Sequence, residues 1–294
     1  MRKPKTYWAD TDFYGLLGNP IRESLSPAMH NANFEALGMN ALYTPFEVEV
    51  GGMPKILSAL EALRFKGLNV TMPLKRKIIP YLDEMDEIGG LCDAVNTLYW
   101  KNGKLCGTNT DGFGFVHALK EQGRYDPTGK RCLIFGAGGA ARGVAFALCA
   151  AGISSITLWG RASGVERISK LASDLNAYRN GVCEACADPA EVGRLLKENE
   201  LVINSTSVGM MPDIDATPFD TSLLESKNFV CDVVYVPRDT KLLREAEAKG
   251  CGTLAGHWMM IWQGVEAFRR WTGGKEPDVK VMTQTVLEHL TRVS

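Results

Sequence analysis

From about residue 14 the chain alternates between two hydrophobic periods. "YGLLGNP", "ALYTPFEVEV" and "GLNVTMP" read as short strands, while "SPAMHNANFEALG", "MPKILSALEALRF" and "LKRKIIPYLDEM" read as the helices between them. Strictly alternating strands and helices predict a mostly parallel sheet covered by helices. "TLYWKNGKLCGTN" departs from that rhythm and reads as a hairpin, with Asn102-Gly103 supplying the positive φ angles of a tight turn. A helix is expected from near Asp111 through "GFGFVHALKEQG", and the turn-rich "RYDPTGK" after it reads as a bridge. Beyond the bridge, "RCLIF", "SSITLWG", "LVINST" and "FVCDVVY" are strand-like, and "VAFALCAAG" and "TKLLREAEAKG" are helical. "HWMMIWQGVEAFRRWTG" and "VKVMTQTVLEHLTRV" predict two further helices, expected to pack back on the first domain. No internal repeat or low-complexity tract interrupts this order.

A chain of 294 residues with a 45% hydrophobic share and no long apolar run predicts a globular protein of two domains. The formal charge is -1, from 33 basic and 34 acidic side chains, so no field gathers nucleic acid or an acidic membrane, and a small-molecule partner is expected. "MRKPKTYWADTDFYG" lacks the apolar core of a signal peptide, which predicts a cytoplasmic location. The eight cysteines are irregularly spaced and read as reduced, buried thiols. Cys183 and Cys186 have C-x-x-C spacing but lie in a strand-like run, where positions three apart point to opposite faces. No metal is expected.

Gly136, Gly138 and Ala141 match the G-x-G-x-x-A dinucleotide fingerprint, with a strand before and a helix after, which predicts a Rossmann-type unit. Phosphates would lie at the helix N-terminus, where backbone N–H groups and the dipole favour an anion. The second strand ends in "LWGRAS", with no acid to bind the ribose hydroxyl of NAD. Arg161 is available there to pair with the 2'-phosphate of NADP. NADP is therefore the expected cofactor, with NAD as the alternative.

The remaining polar clusters are "NPIRESLSPAMHN", "NVTMPLK", "AVNT", "GTNTDG", "DVVY" and "GHWMMIWQG". Taken in order, Ser-x-Ser-Pro, Asn-Val-Thr-x-Pro-x-Lys, Ala-x-Asn-Thr, Asn-Thr-Asp-Gly, Gly-Ala-Gly-Gly and Gln-Gly make the chain resemble the shikimate dehydrogenase family from about Gly15 to the C-terminal helices. The resemblance implies a substrate-binding and catalytic domain over residues 1–111, completed by helices in 256–294, and an NADP-binding domain over 112–255. It places the active site in the cleft between them. It further implies that Lys75 and Asp111 are the catalytic pair, that Ser24, Ser26 and Tyr235 bind the substrate carboxylate, and that Thr71, Asn96 and Gln263 hold ring hydroxyls. Cofactor contacts are implied at Gly136, Ala137, Gly138, Gly139, Ala140, Arg161, Thr206, Gly256 and Met259.

The implied reaction is reversible reduction of 3-dehydroshikimate to shikimate with NADPH, a step toward aromatic amino acids. Reduction of a ketone builds negative charge on its oxygen, which an ammonium stabilises and protonates. Local structure offers other roles: an N-cap for Ser26 before Pro27, an N-cap for Asp111, and a snorkelling surface lysine for Lys75. Two stretches depart from the family pattern. Gly160-Arg161-Ala162 replaces the usual Asn-Arg-Thr, with Ser163 and Arg167 as nearby substitutes, and Trp258 replaces a usual glycine. "VGMMP", "VYVPRDTKLL" and "WQGVEAFRRWTG" are also similar to the quinate/shikimate branch. Quinate oxidation with NAD or NADP, and a non-catalytic metabolite sensor, stand as the alternatives. No nucleic-acid or membrane partner is expected, and a homodimer is admitted.

Overall fold

The computed structural model describes residues 6–22 and 24–293. Residues 1–5, on which part of the N-terminal reading rests, lie outside the described residues, as do Glu23 and Ser294. The chain divides into two compact units, Met1–Asn109 with Gly264–His289, and Thr110–Gln263 with Leu290–Ser294. The sequence reading instead gave residues up to 111 and the whole of 256–294 to the first unit.

The first unit contains β1 (Asp12–Gly18), α1 (Ser26–Ala36), β2 (Ala41–Glu47), α2 (Met53–Ala62), β3 (Gly67–Val70), β4 (Glu84–Met85), α3 (Glu87–Cys92), β5 (Thr97–Lys101) and β6 (Lys104–Thr108). Its sheet runs in the order β2-β1-β3-β5-β6-β4. β1 is parallel to both β2 and β3, whereas β5 is antiparallel to β3 and β6. The hairpin expected at Asn102-Gly103 is present, with φ of 53° and 77°. The helix expected over "LKRKIIPYLDEM" does not form: residues 72–78 are turns, followed by a short 3-10 segment at Ile79–Tyr81 and the two-residue β4. Pro80 supplies no N–H and its ring blocks the preceding turn, so the apolar spacing there is used by loop residues. Leu74 and Ile78 still reach the core with Leu17, Leu68, Val70 and Leu98.

The second unit contains α4 (Asp111–Glu121), β7 (Arg131–Phe135), α5 (Gly139–Ala150), β8 (Ser155–Trp159), α6 (Val165–Tyr178), β9 (Cys183–Cys186), α7 (Val192–Glu198), β10 (Leu201–Asn204), β11 (Phe229–Asp232), α8 (Lys241–Ala248) and β12 (Gly252–Leu254). α9 (Gly256–Thr272) and α10 (Val279–Val293) follow, and both are divided between the units. The sheet order is β12-β11-β10-β7-β8-β9, with every pairing parallel. β7 and β10 are neighbours although β8 and β9 intervene in sequence, so the strand order reverses there, the point at which such sheets bind ligands. Leu133, Val202, Val230 and Leu242 form its core. Each fully buried side chain of this size contributes roughly 1.5–3 kcal/mol.

The C-terminal half of α9 completes the first unit. Trp271 donates its indole N–H to the Leu98 carbonyl at 3.0 Å and lies 5.3 Å from the Tyr14 ring. Gly67 makes room for it, because a Cβ there would lie 2.0 Å from the indole. Among the described residues no helix is long and apolar enough to cross a membrane.

Candidate active site

In the first unit the strand order reverses between β1 and β3, and the sequence-predicted polar residues collect at that end of the sheet. Ser24 and Ser26 follow β1, and Thr71 and Lys75 follow β3. Asn96 immediately precedes β5, which runs the opposite way and so begins at the same end. Backbone bonds tie these segments together: Thr71 N–H donates to the Leu17 carbonyl at 2.8 Å, Val70 N–H to Asn96 at 2.8 Å, and Val95 N–H to Lys75 at 2.8 Å. Gly18 lets β1 approach Thr71, since a Cβ there would lie 2.3 Å from the threonine methyl. Lys75 and Thr71 are half-buried, and Asn96 is buried.

The two serines have different surroundings. α1 begins at Ser26 with Pro27 in its first turn, and Leu25 at the N-cap makes no side-chain cap bond. Instead the Ser24 hydroxyl accepts from the Ser26 N–H at 3.3 Å, so Ser24 takes the role of helix-start acceptor that the sequence offered to Ser26. The Ser26 hydroxyl acts on the phenol of Tyr43, easing its pKa downward against the stronger upward push of burial. Tyr43 in turn donates to Asn69 Oδ1 at 2.9 Å. Asn69 Nδ2 donates to the Asn96 carbonyl and to Thr97 Oγ1, both at 3.2 Å, and Thr97 donates to Asn96 Oδ1 at 3.0 Å. His30 stacks on the Tyr43 ring at 4.7 Å, and burial pushes its pKa down to about 3. Sequence reasoning missed Tyr43 and Thr97 as members of this network. Asn69 carried the available signal, a carboxamide inside a strand whose other positions are apolar or glycine. A surface depression of about 540 Å³ beside α1 is lined by Ser24 and also by Arg22, Glu47 and His289, but not by Thr71, Lys75 or Asn96.

In the second unit, β7 runs into the glycine turn and then α5, as the fingerprint predicts. Gly136 has φ 105°, a conformation that favours glycine, and its N–H donates to the Trp159 carbonyl at 2.9 Å. Gly138 occupies the N-cap of α5, with nothing within 4 Å of the place a Cβ would take. The helix start has no side-chain cap and no acid in its first turn. An open approach to uncapped N–H groups fits the pyrophosphate of a dinucleotide. Thr206, just beyond β10, lies against Gly136, its methyl 3.1 Å from the glycine's ideal Cβ position. Ala137, Gly139 and Ala140 belong to the same turn and first helical residues. Arg161 is exposed beyond β8, and among the described residues no carboxylate pairs with it. Ser163 and Arg167 are also exposed nearby.

Asp111 is the first residue of α4 and is 5% exposed; Thr110, rather than Asp111, occupies the N-cap. Gly114 brings α4 against α9, because a Cβ there would lie 2.5 Å from the Gln263 nitrogen and 2.7 Å from the Met259 carbonyl oxygen. Gln263 donates to the Met260 carbonyl at 2.8 Å. Gly256 opens α9 against the Val233 carbonyl, where a Cβ would come within 2.5 Å. Trp258 is half-buried, 5.0 Å from the His257 ring. Tyr235 is half-buried three residues beyond β11, with its phenol pKa raised by burial. Asp232 at the end of that strand accepts from Asn204, Val234 and Thr240, and burial pushes its carboxyl up to about 6. Cys183 and Cys186 lie in β9, one buried and one half-buried, in keeping with their strand reading.

The family described as shikimate dehydrogenase substrate binding domain matches residues 16–98, and that described as shikimate 5'-dehydrogenase C-terminal domain matches residues 256–287. The shikimate dehydrogenase (NADP(+)) of Moorella thermoacetica is 42% identical over 288 residues, covering 95% of this chain and 94% of the relative. A solved structure of shikimate 5-dehydrogenase from Listeria monocytogenes in complex with shikimate and NAD has a TM-score of 0.90 and 35% identity, covering 97% of this chain and 99% of the other. Quinate dehydrogenase from Corynebacterium glutamicum, in complex with NAD, has a TM-score of 0.87 and 34% identity over 95% of this chain and 99% of its own. Full-length similarity at this identity, on top of motifs that the fold brings to the ends of two sheets, establishes that the chain belongs to the shikimate dehydrogenase family.

Proposed function

We propose that the protein is a shikimate dehydrogenase that interconverts 3-dehydroshikimate and shikimate with NADP as cofactor, in the pathway to aromatic amino acids. The observation that carries this reading is the placement of Lys75 at one sheet end with Thr71 and Asn96, three residues drawn together by backbone bonds. The Moorella relative's name as a shikimate dehydrogenase (NADP(+)) and the uncapped α5 start with Arg161 nearby support the cofactor.

When bound, the nicotinamide supplies the hydride. Lys75 carries the ammonium that stabilises charge on the ketone oxygen and gives it a proton, and Asp111 is the second residue of the catalytic pair. Ser24, Ser26 and Tyr235 hold the carboxylate, and Thr71, Asn96 and Gln263 the ring hydroxyls. The glycine turn at Gly136–Ala140, with Thr206, Gly256 and Met259, holds the cofactor, and Arg161 takes the 2'-phosphate. The protein acts in the cytoplasm on small molecules.

Quinate is the second reading, supported by the likeness to the Corynebacterium quinate dehydrogenase. Trp258, half-buried where the family resemblance implies glycine, favours the flatter shikimate ring over quinate, which has an extra hydroxyl at a tetrahedral carbon. Steady-state kinetics with shikimate and quinate, each against NADP+ and NAD+, test both points. The expected result is the highest kcat/KM for shikimate with NADP+. Equal efficiency on quinate overturns the substrate order, and tight binding without turnover identifies a sensor.

A further inference from the structure

The buried hydrogen bonds behind Asn96 have a fixed direction, set by one group that can only accept. The Asn96 backbone carbonyl lies 3.2 Å from the Asn69 side chain, so the Asn69 end facing it is the amino group. Asn69 Oδ1 is therefore the end that meets Tyr43, which spends its single proton there at 2.9 Å. The second Asn69 N–H goes to Thr97 Oγ1 at 3.2 Å. A hydroxyl that accepts from that side directs its own proton elsewhere, and Thr97 gives it to Asn96 Oδ1 at 3.0 Å. Tyr43, Asn69, Thr97 and Asn96 are each 4% exposed or less, so water does not compete to reverse the order. The oxygen end of the Asn96 amide is thus turned to Thr97, and its amino group is the opposite end.

We infer that Thr97 is a positioning residue for substrate recognition, backed by Asn69 and Tyr43, and that this chain makes Asn96 a hydrogen-bond donor to a substrate oxygen. The inference rests on the assignment of Asn96 to the substrate made above. A donor suits the lone pairs of a ring hydroxyl or carbonyl oxygen, whereas an amide turned the other way could only accept, which serves a hydroxyl's proton but sets oxygen against a carbonyl oxygen. The strand pairing of β5 does not need the Thr97 hydroxyl, and valine fills nearly the same space. A purely structural role therefore predicts no change in substrate affinity when the hydroxyl alone is removed.

The test is a double-mutant cycle on the full-length enzyme, read as KM for shikimate, KM for NADP+ and kcat. Thr97→Val is expected to raise KM for shikimate about three- to tenfold, the range of one neutral hydrogen bond, with kcat and KM for NADP+ within about twofold of wild type. Asn96→Ala raises KM by itself, and adding Thr97→Val to it brings no further increase, because Thr97 acts through Asn96. Tyr43→Phe, one bond further back, raises KM in the same direction by less, and it carries the test if Thr97→Val does not fold. A wild-type KM in Thr97→Val or, where that variant does not fold, in Tyr43→Phe, alongside a raised KM in Asn96→Ala, overturns the inference alone. So does an additive double mutant. An unchanged KM in Asn96→Ala overturns the assignment of Asn96 to the substrate and the inference with it.

Discussion

The two units meet the problem of holding a ligand with different parts of the chain. The second unit presents backbone: a glycine turn with positive φ at Gly136, open space over Gly138, and the bare N–H groups of α5. The first unit presents side chains from well-separated segments, held by Tyr43, Asn69 and Thr97 behind them. A backbone site tolerates side-chain replacement but not an added Cβ, whereas a side-chain site depends on each group's identity and aim. The contrast follows from the ligands: a pyrophosphate needs several equivalent donors, and a ring with distinct oxygens needs individual partners.

The sharpest break in this contrast is at Lys75. Lys75→Ala is expected to lower kcat by about a hundred- to ten-thousandfold with a comparatively small change in KM, the range for loss of a general acid. Near-normal turnover removes Lys75 from the mechanism. A glycine pair then tests the division directly. Gly67→Ala drives a methyl into Trp271 and should destabilise the fold by roughly 1–3 kcal/mol in urea unfolding, with little change in KM for NADP+. Gly138→Ala meets open protein space, so it should leave unfolding nearly unchanged while raising KM for NADP+. A reversal of those two outcomes would mean that the open space at Gly138 is not where phosphate approaches.

Arg161, exposed beyond β8, is the exception in the proposed cofactor site, a side chain rather than backbone. Arg161→Ala should raise KM for NADP+ roughly tenfold, the order of one charge-assisted hydrogen bond, and leave KM for NAD+ nearly the same. Equal effects on both cofactors would place the arginine outside phosphate recognition.

The smallest effect expected is in acid stability. Burial holds His30 neutral, down to about 3, and burial together with Arg238 holds His257 down to about 4. The unfolded chain takes up these protons near pH 6.5, so both residues make stability fall as pH drops from about 6.5 toward those values. Asp232, pushed up to about 6, acts in the opposite sense: it makes stability fall as pH rises from about 4 to 6. In the second unit the two trends oppose one another. Because burial pushes His30 further down than His257, replacing His30 with Phe should flatten the acid limb of a Tm-versus-pH curve more than His257→Phe does, and the reverse order would show that His257 is the more strongly perturbed of the two.

What the sequence disclosed divides along the same line. The glycine turn was legible because its conformation is set by consecutive residues: strand, Gly136, Gly138, helix. The Asn102-Gly103 hairpin and the start of α4 at Asp111 were legible for the same reason, since local backbone preferences decide them. The segment after Lys75 was misread because its apolar spacing resembles a helix, while Pro80 and tertiary packing of Leu74 and Ile78 make it a loop with buried anchors. Tyr43 and Thr97 were invisible as a pair, because a β2 tyrosine and a β5 threonine look like ordinary strand residues until the sheet order places Asn69 between them. That Ser24 rather than Ser26 serves the helix start was equally hidden, as it turns on which hydroxyl faces that N–H.

The seat of Trp271 over Gly67 also bears on how the protein is made. The indole's hydrogen bond to Leu98 spans 173 residues, so the first unit leaves the ribosome early but lacks a wall until α9 is synthesised. The first unit to emerge is thus the last to be finished, and nascent chains ending before Trp271 lack the indole that packs on Tyr14 and bonds to Leu98. Incomplete folds that leave apolar surface exposed are prone to aggregate, so the last helices guard the first sheet.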